Sequence, residues 1–125
     1  MYRIAVITDI HGNIYALRSA LEDIRRKKVD AIYCLGDMIG MGPFSNQVCE
    51  TLFSHENVQL VTGNHDEAVM ALIKGSVYPK SREKVKAHHQ WIADRLTSEY
   101  KKAISRLSRF LTTNVAGWIF YFALT

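Results

Sequence analysis

Three short apolar runs rich in β-branched residues, Ile4-Ala5-Val6-Ile7, Ala31-Ile32-Tyr33-Cys34-Leu35 and Val58-Gln59-Leu60-Val61, are each followed at once by a polar, glycine-bearing cluster. Runs of this length, separated by segments with helical period, read as parallel βαβ units. Few topologies satisfy that pattern, because parallel strands need a crossover between them and place all their carboxyl ends on one side. The crevice beyond those ends is the usual ligand site of such sheets. The clusters that fall there are Asp9-Ile10-His11-Gly12-Asn13, Gly36-Asp37 and Gly63-Asn64-His65-Asp66.

Asp9, His11, Asp37 and Asn64 are oxygen and imidazole donors, a mixed set that suits Mn, Fe or Zn; cysteine is absent from all three clusters. In Asp-x-His, alternate residues leaving a strand end can point the same way, so a carboxylate and an imidazole can grip one ion. Asp37 is then placed to bridge to a second ion. Paired ions roughly 3.5–4 Å apart suit in-line displacement at phosphorus.

With these blocks in order, the chain resembles the calcineurin-like metallophosphoesterases, in particular their small one-domain prokaryotic branch, over essentially its whole length. The blocks stand here as Asp9 to Asn13, Gly36 to Pro43 and Gly63 to Asp66. The resemblance implies that Asp9 and His11 bind a first metal, Asp37 bridges, Asn64 binds the second metal and His65 acts catalytically on the scissile phosphate. It implies two divalent metal ions, manganese foremost, and hydrolysis of a phosphomonoester or phosphodiester by a metal-bridging hydroxide. It also implies an α/β fold: the N-terminal half of an αββα sandwich, a mainly parallel sheet flanked by helices, plus a C-terminal hairpin. The family's later His-Gly-Ser/Thr and Gly-His-Thr-His blocks are missing from these 125 residues. The expectation is therefore one incomplete domain, residues 1–125, whose activity is in doubt. A non-catalytic scaffold of the same fold is the alternative. Aspartyl-nucleophile phosphatases of the haloacid-dehalogenase type need an Asp where His11 stands, and Ile39-Gly40-Met41 replaces the Asp-Arg-Gly of the protein Ser/Thr phosphatases.

Net charge is +4, but the excess is local: residues 1–75 carry seven Lys/Arg against nine Asp/Glu, and residues 76–125 carry nine against three. No aromatic interleaving marks a nucleic-acid groove there, so a solvated helix face is expected and nucleic acid is not. The expected partner is a phosphorylated small molecule or nucleotide. Cys34 and Cys49 lack paired spacing and are expected as reduced core thiols of a cytoplasmic protein. The ten apolar-rich residues from Val115 to Leu124 are too few for a membrane span.

Helices are expected after Asn13, with Ile14, Leu17, Leu21 and Ile24 inward; from about Ser45, with Val48 and Leu52 inward; and over Asp66 to Ile73, stopped by Gly75. Two more are expected to begin at Ser81, with Val85, Ile92 and Leu96 inward, and at Thr97, with Tyr100, Ile104 and Leu107 inward. His88 and His89, adjacent in a helix, point about 100° apart and read as ordinary helix residues. His55 reads as a solvated turn residue, and Trp91 and Trp118 as core. A hairpin of Phe110–Val115 and Trp118–Leu124 turns at Gly117, and its unpaired apolar edge is expected to form a homodimer through the C-terminal strands.

Overall fold

A computed structural model describes residues 1–124; Thr125, the last residue of the apolar C-terminal run, lies outside the described residues. The three β-branched runs form the parallel strands β1 (Ile4–Ile7), β2 (Ala31–Cys34) and β3 (Val58–Leu60), in spatial order β1-β2-β3. The register pairs Ile7 with Cys34 and Cys34 with Leu60, so the three strands end level with one another. That flush edge brings the three polar clusters together.

Between the strands lie α1 (Ile14–Lys27) and α2 (Ser45–Ser54), and after β3 comes α3 (Asn64–Lys74). Asn13 caps α1 through its side-chain oxygen, which accepts from the Ala16 amide at 3.0 Å, while Arg25, Arg26 and Lys27 complement the other end of its dipole. Gly75 closes α3 in the left-handed conformation. Next come α4 (Lys86–Arg95) and α5 (Ser98–Ser105).

The central strand β2 is buried along its whole length and its two faces do different work. Cys34 faces a helical core with Leu17, Val48, Leu52, Val69, Ile92 and Ile104. Tyr33, on the opposite face, stacks on Phe122, with ring centroids 4.4 Å apart. Phe122 belongs to the antiparallel hairpin of β4 (Phe110–Val115) and β5 (Trp118–Ala123), so the second sheet lies against the side of the first that the helices leave open. This is a mixed α/β layering with a parallel sheet and a C-terminal hairpin, as expected.

Two local expectations are corrected. Ser81 does not cap a helix: Lys80–Val85 is a 3₁₀ helix held by the Arg82 amide on the Pro79 carbonyl, and α4 begins only at Lys86. The segment from Lys80 to Lys84 is entirely polar and gives an α-helical face nothing to bury, which leaves the tighter 3₁₀ form as a connector. Trp91 and Trp118 are not core residues; they are 38 % and 73 % exposed. On the surface, Trp91 stacks with the His88 ring at 6.1 Å between centroids and meets the Arg95 guanidinium, which lies 4.2 Å from its ring centroid. His55, half-buried, accepts from the Asn57 amide at 3.3 Å. Among the described residues, no helix is long and apolar enough to cross a membrane.

Candidate metal centre

Pairing continues past the strand ends into the clusters themselves. The Asp9 amide donates to the Gly36 carbonyl at 3.2 Å, the His11 amide to the Asp37 carbonyl at 2.9 Å and the Gly12 amide to the Met38 carbonyl at 2.8 Å. The third cluster joins through a side chain, the His65 amide donating to Asp37 Oδ1 at 2.8 Å. Asp37 is 5 % exposed and therefore sits between the other two clusters as their common partner.

The backbone is bent unusually at these positions. Asp9, His11 and Asp37 take φ of 57°, 50° and 51°, the left-handed region that side-chain-bearing residues rarely adopt. Such conformations cost of order 1–3 kcal/mol each and persist where surrounding structure over-determines them, typically at functional sites. Glycine supplies the space. A Cβ on Gly36 would collide with the Gly63 backbone, and one on Gly40, at φ 123°, would lie 2.6 Å from His65 Cβ.

The result is convergence. One ligand atom each of His11, Asp37 and His65 lies within 4.8 Å of the others. Asp9 extends the group, its Oδ1 standing 3.3 Å from His11 Nε2 while its Oδ2 accepts from the Thr8 hydroxyl at 2.8 Å. His11 Nδ1 lies 3.4 Å from the Ile39 carbonyl oxygen, which leaves Nε2 as the nitrogen turned toward Asp9. His11 Nε2 and Asp9 Oδ1, 3.3 Å apart, are close enough to share one cation. The donor set fits a divalent ion. Asn64, the first residue of α3, is exposed and lines an open cavity of about 630 Å³ together with Thr62, Glu67, Arg82 and Arg109.

Under the site, Asp66 is fully buried and accepts from the Ile39 amide at 3.1 Å and the Gly63 amide at 3.0 Å, tying two site loops together. Burial pushes its carboxyl up to about 7 against the pull of those two amides.

The sequence reading missed one residue of consequence. His89, read as ordinary, is 0 % exposed, with its Nε2 2.9 Å from His65 Nδ1 and its Nδ1 2.6 Å from the Tyr78 hydroxyl. Burial, followed by the nearby His65, His88, Arg82 and His11, lowers its pKa to about 4, and burial also lowers that of His65. The signal was present: Val85, His89, Ile92 and Leu96 share a 4-3-4 spacing, which puts one imidazole on the inward face of α4. His88 points outward, as expected, and meets the Met41 carbonyl.

The model of the calcineurin-like phosphoesterase family matches residues 2–121. An uncharacterised protein of Methanocaldococcus jannaschii is 45 % identical over 67 residues, 54 % of this chain and 27 % of that protein. A symmetrical bis(5'-nucleosyl)-tetraphosphatase of Erwinia tasmaniensis is 32 % identical over 82 residues, 64 % of this chain and 30 % of that protein. The chain thus spans less than a third of either relative. Among solved structures, a hypothetical protein of Pyrococcus horikoshii superposes with a TM-score of 0.80 at 23 % identity, covering 97 % of this chain and 54 % of that one, which speaks to the fold alone. With the family model matched over nearly its entire length, this chain belongs to the calcineurin-like phosphoesterase family.

Proposed function

We propose that the protein is a metal-dependent phosphoesterase acting on a phosphomonoester or phosphodiester of a small phosphorylated molecule or nucleotide. The observation that carries the reading is the convergence of His11, Asp37 and His65, with Asp9 against His11, at the level edge of the parallel sheet. Asp9, His11, Asp37 and Asn64 would hold two divalent ions, manganese foremost and iron or zinc as alternatives, because carboxylate, amide and imidazole donors suit that group of metals. When bound, such ions supply a water of lowered pKa and neutralise charge on the phosphate.

The chain's own residues do the rest. Asp37 holds the His65 amide and so fixes where α3 starts relative to the other clusters. His65, half-buried beside them, is the catalytic group, stabilising the phosphate and giving a proton to the leaving oxygen. The adjoining cavity, with Arg82 and Arg109 in its lining, accommodates the remainder of an anionic substrate. The tetraphosphatase name of the Erwinia relative supports a nucleotide. Two buried thiols, Cys34 and Cys49, agree with a cytoplasmic setting, and the exposed hairpin supports a homodimer through the C-terminal strands.

The test is hydrolysis of p-nitrophenyl phosphate and its bis ester with added manganese. Turnover that requires the metal and falls on the order of a hundredfold or more in Asp37→Ala is expected. A folded protein with no metal-dependent turnover would favour the non-catalytic scaffold instead.

A further inference from the structure

Three contacts run in line from the site to a backbone carbonyl: His65 Nδ1 to His89 Nε2 at 2.9 Å, His89 Nδ1 to the Tyr78 hydroxyl at 2.6 Å, and that hydroxyl to the Arg82 carbonyl at 3.0 Å. Counting protons along the line leaves one solution. The Arg82 carbonyl only accepts, so the single proton of the Tyr78 hydroxyl goes to it. The hydroxyl oxygen must then accept from His89, which places a proton on His89 Nδ1. His89 is buried against a neutral hydroxyl and a neutral imidazole with no carboxylate at either nitrogen, so it carries one proton only and its Nε2 is an acceptor. His65 must therefore donate from Nδ1, leaving Nε2 as the nitrogen presented to the site.

We infer that Tyr78 and His89 are positioning residues that lock His65 in its Nδ1–H tautomer, so that Nε2 faces the scissile group and is the atom that takes up a proton and passes it to the leaving oxygen. The step balances: a water oxygen bonds to phosphorus and gives up a proton to solvent, the bond from phosphorus to the leaving oxygen breaks with its electron pair on that oxygen, and the leaving oxygen gains the proton that departs from Nε2. Packing holds the relay rigid. His89 projects from α4 onto α3, the two rings meet edge to face with centroids 5.1 Å apart, and Gly40 leaves room for His65 only because it lacks a Cβ. The inference rests on the proposed role of His65 for its catalytic consequence, but not for its structural content.

The test is long-range ¹H–¹⁵N correlation of the imidazoles in the metal-free protein at mildly alkaline pH, with manganese-dependent kinetics on the nitrophenyl diester alongside. In the wild type, His65 and His89 are both expected as Nδ1–H tautomers. Tyr78→Phe removes the acceptor for His89 and is expected to convert His65 to a mixture containing Nε2–H, with kcat falling about tenfold and KM within about twofold, the scale of loss for groups that orient a site residue. His89→Gln keeps an acceptor toward His65 and a donor toward Tyr78, so it is expected to retain the His65 tautomer, whereas His89→Leu is not. A wild-type His65 protonated at Nε2, or a Tyr78→Phe spectrum with unchanged tautomers, overturns the relay. Nδ1–H tautomers in a protein without turnover uphold the relay and count against the phosphoesterase reading.

Discussion

Gly40 shows how closely single residues constrain the site. Its φ of 123° is open to glycine, and a Cβ there would press on His65. Gly40→Ala is expected to cost of order 1–3 kcal/mol in chemical denaturation, the price of an unfavourable dihedral plus a displaced ring; unchanged stability would show that the loop relaxes freely. Asp66→Asn is a second probe, since both Asp66 oxygens accept amide protons and an amide group would turn a donor toward one of them. A loss of about 1–3 kcal/mol is expected by the same measurement. The convergence of Asp9, His11, Asp37 and His65 on one sheet edge was legible in sequence because each lies in a short block directly after a strand. Asp66 was legible only as a helix residue, because its burial comes from Ile39 and Gly63 folding over it from two separate loops. His89 was legible as an inward-facing helix residue but its pairing with His65 and Tyr78 was not, because those partners lie 24 and 11 positions away along the chain and no local pattern links them.

At the level of elements, β2 and α2 each bury a thiol, and burial pushes both Cys34 and Cys49 up to about 12. At pH 8 that leaves roughly one thiol in ten thousand as the reactive thiolate. Both are expected to resist a disulfide reagent in the native protein and to react fully in denaturant; rapid native labelling would contradict the buried placement. On α4, His89 contributes a stability that acid removes. His89 takes up its second proton near 4 when folded against 6.5 for an ordinary histidine, so the unfolded chain binds protons first as pH falls. Stability from this group is intact above about 6.5 and is lost progressively toward 4. Asp66, raised to about 7, acts in the opposite sense over the same window, so the readout is the difference between wild type and His89→Gln in thermal melts across that range. A difference independent of pH would remove His89 from the account. Strands and long amphipathic helices were readable from their period, whereas the 3₁₀ segment before α4 was not, because its form follows from what it has no chance to bury.

On the scale of the whole molecule, the helical side of the parallel sheet is closed and the other side is only partly covered. Phe122 reaches Tyr33, but Trp118, Ile119 and Tyr121 remain 73 %, 77 % and 64 % exposed. An apolar strand pair with a free edge is a template for pairing, so light scattering at tens of micromolar is expected to show dimers or larger species, and a monodisperse monomer would contradict that. The parallel sense of the sheet was recoverable from the alternation of strand and helix signals, but which hairpin residue would reach the sheet was not, since β5 is apolar on both faces. What unites the scales is one claim: level strand ends bring three clusters together to hold divalent cations. Calorimetric titration with manganese tests it most directly. Saturable binding to the wild type is expected, abolished in Asp37→Ala while circular dichroism shows the fold retained; a wild type that binds no manganese, or an Asp37→Ala variant that binds it undiminished, would contradict that claim.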